Sequence, residues 1–193
     1  MCGVPYHSAE GYIAKLVQKG YKIAICEQME DPKKAKGLVK REIIRRVTPG
    51  TVVEASMLDE NRNNFLGCVY AAGGSVGVCF ADITTGSVYA TGSDNWNDIT
   101  SEFGRFAPRE VLVGGGAISA DSLQSFLKER LEALIEPMSE ECFEAQRSAE
   151  RIQEHFKVQD FDAAGLTDLP CTVQCLGVCW ITSSRRRRPA FPV

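Results

Sequence analysis

Apolar residues first recur at helical spacing: Tyr12, Ile13, Leu16 and Val17 share one stripe. Ser8 ahead of them is the expected cap, Glu10 lies near the positive end, and Gly20 is the expected stop. The pattern then shifts to period two. Tyr21 to Cys26 (YKIAIC) alternates and predicts a strand, and DPKKAKG predicts a polar loop. Val39 to Val47 (VKREIIRRV) predicts a second strand carrying Lys40, Arg41, Arg45 and Arg46. TPGT, Thr48 to Thr51, is a turn, and residues 51–64 form a linker ending in DENRNN.

From Phe65 the texture changes. FLGCVYAA is a continuous apolar run, as a buried strand requires, and AGGS is a tight turn. VGVCFADI, TTGS and a third strand from Val88 complete an antiparallel meander. Trp96 to Phe106 predicts a helix with Ile99, Phe103 and Phe106 on one face, and REVLVGG a strand closed by glycines. Ser119 is the expected cap of a helix with Leu123, Phe126, Leu127 and Leu131 on its stripe. A short strand is expected over Ala133 to Met138, a charged helix over Ser139 to Phe156, and another helix over Asp168 to Ile181. The order β-β-β-α-β-α-β-α is that of a ribonuclease-H-like mixed sheet with helices on its faces. The fold class is therefore mixed α/β: a partial α+β module over 1–50, the linker, a ribonuclease-H-like domain over 65–182, and an unpatterned tail over 183–193.

Charge adds to this division. Residues 1–50 carry ten Lys/Arg and five Asp/Glu, net +5, and residues 51–193 are net −8, within an overall −3. A basic front can face a polyanion. The 193 residues are 44% hydrophobic and 24% charged, an ordinary globular balance. No run of eighteen apolar residues occurs, so no membrane span is expected, nor is a signal peptide. The eight cysteines lie mostly in apolar runs, as small buried hydrophobes would.

Candidate chemistry is sparse. A two-metal nuclease needs several converging carboxylates. FLGCVYAA and VLVGG carry none, Glu102 is alone in its helix, and Asp82 precedes a turn where Asp bonds local backbone. Cys2 and His7 place a thiol and an imidazole five residues apart, which fits a surface turn better than a catalytic pair. Gly114–Gly116 lacks the lysine of a phosphate loop. Cys171, Cys175 and Cys179 line one helix face without a Cys-x-x-Cys knuckle, which fits core better than zinc. Arg185 to Arg188 in SSRRRRPAFPV could grip phosphates or belong to a disordered tail.

CGVPYHSAEGYIAKLVQKGYKIAICEQ, KGLVKREIIRRVTPGT, FADITTGSVYAT, PREVLVGG and DAAGLTDLP occur in this order, and together they resemble the bacterial MutS mismatch-repair family over residues 1 to about 182. The resemblance implies that residues 1–50 are the back part of a mismatch-binding domain and that the domain from about residue 60 is a connector without nuclease activity. It implies that Gly3, Val4, Pro5, Tyr6 and His7 contact DNA at the minor groove. The alternative is that Tyr6 packs over the helix of residues 8–19.

In the family a Phe-x-Glu motif precedes this turn and an ATPase using ATP and magnesium follows the connector. Neither is found in this chain, so no cofactor, no ATP hydrolysis and no nucleic-acid hydrolysis are expected of it. Any DNA binding through Lys40, Arg41, Arg45 and Arg46 should be salt-sensitive and blind to mismatches. Implied partners are duplex DNA with mismatches or small loops, a MutL-like protein through the connector, and a second copy in the full-length family. The implied location is cytoplasmic and nucleoid-associated. Two readings stay open: a DNA-binding and connector fragment, or a truncated product acting only as a protein-interaction module.

Overall fold

The computed structural model describes residues 2–31, 37–52, 63–157, 161–162 and 164–187, with backbone alone for Tyr6 and Arg185–Arg187. The front module is one helix on a hairpin. Helix α1 (Tyr6–Gln18) precedes the antiparallel strands β1 (Ile23–Gln28) and β2 (Arg41–Val47). Val17, Val47 and Val52 form its core, with Ile13, Ile23 and Ile25 packed against them. The helix starts two residues before Ser8. Pro5 is its N-cap, and the Ser8 hydroxyl donates to the Pro5 carbonyl from within the first turn. Proline's fixed φ of −60° sets the helix entry in place of the expected serine cap.

The second domain, the expected connector, is a five-stranded sheet in the order β5-β4-β3-β6-β7. Strands β3 (Phe65–Ala72), β4 (Ser75–Asp82) and β5 (Val88–Ser93) form the antiparallel meander. Strands β6 (Glu110–Gly115) and β7 (Leu134–Pro137) add in parallel to β3. Helices α2 (Trp96–Phe106) and α3 (Asp121–Ser125) cover one face, through Ile99, Phe103 and Leu123 against Val69, Val78 and Phe80. Helices α4 (Ala145–Phe156) and α5 (Pro170–Arg187) cover the other, through Ile152, Cys171, Cys175 and Cys179 against Leu66, Cys68 and Cys79. Both faces are thus buried, which is why β3 is apolar at every position rather than at alternate ones.

Several expectations are corrected. Ser119 caps nothing: Gly116–Ser119 is a 3-10 turn, and α3 starts after Ala120 without a side-chain cap. Its stripe does hold, with Leu123 and Leu127 buried, but the helix widens into a π-turn over Phe126–Arg130. The charged helix from Ser139 is broken at Glu144, because Phe143 is drawn into the core. It lies against Gly114, where a Cβ would stand 2.1 Å from its ring. Helix α5 runs on to Arg187, so residues 183–187, expected in an unstructured tail, are helical, and 188–193 lie outside the described residues. The expected linker is anchored at both ends, with Thr51, Val52 and Asn64 buried; residues 53–62 lie outside the described residues.

Tyr70 stacks on Phe143 with ring centroids 4.4 Å apart and donates its hydroxyl to Glu140. That bond, followed by burial, pushes its phenol from 10.0 up to about 12. The fold favours the protonated phenol, so this stabilisation is complete below about pH 10 and lost as pH rises toward 12. Tyr70→Phe is expected to remove this part of the alkaline unfolding curve. A Tyr70 signal that titrates in ultraviolet difference spectra like an exposed tyrosine would contradict it.

Candidate nucleic-acid interface

Gly3, Val4, Pro5 and His7 are exposed, and Tyr6 is the first residue of α1. No side chain caps that helix end, and its first turn holds no acidic residue.

The four basic residues are less alike than their sequence suggests. In β2 the register shifts opposite Ile25 and Cys26, leaving Ile44 without a cross-strand partner. Side chains of cross-strand partners lie on one face. Arg45 pairs with Ile25 and Val47 with Ile23, so both turn toward the small core. Past the bulge the alternation resets, and Ile43 and Arg41 pair with Cys26 and Gln28 on the outer face, with Arg46 and Ala24. Without the extra residue Arg41 would share the inner face with Arg45. Arg41 and Arg46 are exposed and Arg45 is half-buried. Lys40 stands just ahead of the strand. Its ammonium lies 2.8 Å from Glu42 and its N–H donates to Glu30 at 2.7 Å. The hydrogen bond and charge of Glu42 raise the lysine's pKa, so its charge is already matched locally. The structure thus brings Arg41 and Arg46 together with exposed Ile43 and sets Lys40 and Arg45 apart from them.

The front module meets the connector at a joint that sequence reasoning missed. Glu110 opens β6 and is fully buried, which corrects the expectation that the fourth strand carries no acid. Its Oε2 accepts from the Thr48 hydroxyl at 2.5 Å and the Gly50 N–H at 3.1 Å. The signals were present: a glutamate at the head of an apolar strand, and Thr-Pro-Gly-Thr, whose two threonines form a capping box.

The other acids are also engaged. Asp82 Oδ1 accepts from the N–H and hydroxyl of Thr84 at 2.8 and 2.6 Å, as an Asp before a turn does. Its Oδ2 is buried without a hydrogen bond among the described residues. Glu102 pairs with Arg105 on the surface. Cys171, Cys175 and Cys179 are buried against the sheet. Burial, reinforced by contacts to Cys175 and Cys179, pushes the Cys68 thiol up. Among the described residues no group of three or more His, Cys, Asp or Glu is arranged to hold a metal ion, and no helix is long and apolar enough to cross a membrane.

The helix-and-hairpin module and the five-stranded sheet joined to it each match a known family model. Residues 1–56 match the family model described as MutS domain I, and residues 64–180 match MutS domain II. The chain is 44% identical over 160 residues to the DNA mismatch repair protein MutS of Acetivibrio thermocellus, covering 81% of this chain and 18% of that protein. It is 42% identical over 177 residues to MutS of Lachnoclostridium phytofermentans, covering 92% and 19%. It is 37% identical over 180 residues to MutS of Methanococcoides burtonii, covering 92% and 20%. The chain belongs to the MutS family. It spans about a fifth of the length of these relatives.

Proposed function

We propose that this chain supplies a duplex-facing module and a connector to mismatch repair, with the front module attracting DNA through phosphate contacts. The observation that carries this reading is that Arg41 and Arg46 share the outer face of β2 in a module of the MutS domain I type. Gly3, Val4, Pro5, Tyr6 and His7 are the proposed groove contacts, since an exposed turn leading into an uncapped helix end suits close approach to a phosphate backbone. The connector is the proposed contact for a MutL-like partner and, in a full-length assembly, helps link DNA to an ATPase acting as a dimer in the bacterial cytoplasm.

Phosphate neutralisation makes affinity fall with salt, by about 0.9 in the log–log slope per contact. The double variant Arg41→Ala/Arg46→Ala is expected to weaken duplex binding and reduce that slope by about 2. Lys40→Ala should do less, because Glu42 already holds that ammonium. A double variant that binds with the parent's affinity and slope at two salt concentrations would sink the reading and leave a connector that binds only protein. No hydrolysis is proposed: Asp82 Oδ1 is held by Thr84, and Glu110 Oε2 by Thr48 and Gly50 of the front module. In the same titration with magnesium the duplex should stay intact. Cleavage abolished by Asp82→Asn would overturn that part.

A further inference from the structure

We propose that Glu110 is a positioning residue that fixes the orientation of the front module on the connector. Its backbone is embedded in the sheet, paired with Leu66 of β3 and Leu134 of β7, and its side chain is fully buried. A carboxylate withdrawn from water is tolerated only when donors satisfy it. Here two donors to Oε2, the Thr48 hydroxyl and the Gly50 N–H, come from the other module, about sixty residues earlier in the chain.

The donating turn is itself held in shape. The Thr48 N–H donates to the Thr51 hydroxyl at 3.3 Å, and the two hydroxyls lie 2.8 Å apart. With the Thr48 proton given to Glu110, the proton between them comes from Thr51. Gly50 rests on the carboxylate stem, and a Cβ there would stand 2.7 Å from the Glu110 Cβ. Asn64 donates to the Pro49 carbonyl at 2.9 Å, so the chain that enters the connector grips the same turn. Val47, one residue before Thr48, belongs to the core shared by α1, β1 and β2. The hairpin, helix and turn are therefore tied together and seated on one side chain. A second link, Lys22 to Glu136 of β7 at 3.0 Å, spans the same boundary on the surface. Displacement of the hairpin by whatever it binds would load the first residue of β6, at the centre of the sheet's parallel half.

That surface pair provides the readout. A carbodiimide couples a carboxylate to an amine only when the two are in contact, so Lys22–Glu136 crosslinking in the full chain measures module orientation. Thr48→Val removes a donor without touching the connector. It is expected to lower the crosslink yield and to raise exchange of the Gly50 amide about tenfold, as loss of one charge-assisted hydrogen bond would. The β3 and β4 amides should keep their rates. Glu110→Ala should do the same, and Glu110→Gln, which retains an acceptor oxygen but not the charge, should fall between the parent and Glu110→Ala. Unchanged crosslinking and Gly50 exchange in Thr48→Val overturns the proposal, whether or not Glu110→Ala still folds. Loss in Glu110→Gln as complete as in Glu110→Ala overturns it as well.

Discussion

Gly77→Ala is expected to lower stability by about 3 kcal/mol, the upper end for overpacking. The residue lies in β4 beneath the first turn of α5, and a Cβ there would stand 2.2 Å from the Cys171 carbonyl carbon and the Thr172 nitrogen. These are backbone atoms, with no rotamer to move aside. They are also tied down: the Cys175 thiol lies 3.1 Å from the Gly77 carbonyl, and Thr172 donates to the Thr91 carbonyl at 2.9 Å. Relief requires lifting the helix from the sheet. For a chain of this length the loss corresponds to roughly 6–12 °C in melting temperature. Gly104→Ala is the control. It lies inside α2, where a Cβ would meet the Phe126 ring at an ordinary 3.7 Å, so alanine should be neutral or stabilise by about 0.5–1 kcal/mol. Parent-like melting of Gly77→Ala would mean that α5 does not seat on β4 at this distance.

Phe80→Ala should cost about 3–5 kcal/mol, the range for emptying a buried phenylalanine site. Phe80 is 1% exposed on the opposite face of the sheet. It stacks on Phe106 at 4.4 Å and meets Phe103 edge-on at 5.1 Å. Phe106 is in turn shared with Phe65 at 5.2 Å and Tyr89 at 5.0 Å, so the ring closes a network joining β3, β4, β5 and α2. The hole cannot be filled by one neighbour without breaking another pair. Urea unfolding should show a lower midpoint, and the near-ultraviolet dichroism of the aromatic cluster should weaken. An unshifted midpoint would show that the site collapses freely.

The connector was largely legible in the sequence because its elements obey one-dimensional rules. Helix α2 falls on Trp96–Phe106 as expected, with Ile99 and Phe103 at helical spacing and Asn95 capping it. Strand β3 falls on Phe65–Ala72, an apolar run between polar turns. The failures are where long-range contact overrides local pattern. Nothing near Ser139 announces that Phe143 is needed under Gly114, so the helix break was invisible. The extension of α5 past Ile181 was also missed, because four arginines resemble a tail when only composition is seen. In the candidate interface, charge was legible but facing was not. A single bulged residue decides whether Arg41 shares a face with Arg46 or with Arg45, and bulges leave no composition signal here. Glu110 was overlooked because its donors lie some sixty residues away.

The place of α5 in chain order has a consequence for synthesis. The sheet surface bearing Leu66, Cys68 and Cys79 is complete once β3 and β4 have paired, but the helix that covers it is translated about a hundred residues later. While a ribosome makes the intervening chain, α2 and α3 can cover one side of the sheet as the other stays wet, with two thiols and a leucine turned to solvent. Contacts so distant in sequence form slowly, and a half-covered sheet is the species most open to association with other newborn chains. Cys68 and Cys79 should therefore take up an alkylating probe on stalled nascent chains that lack α5 and become protected once residues 170–187 have emerged, which makes the last helix the step that commits the domain.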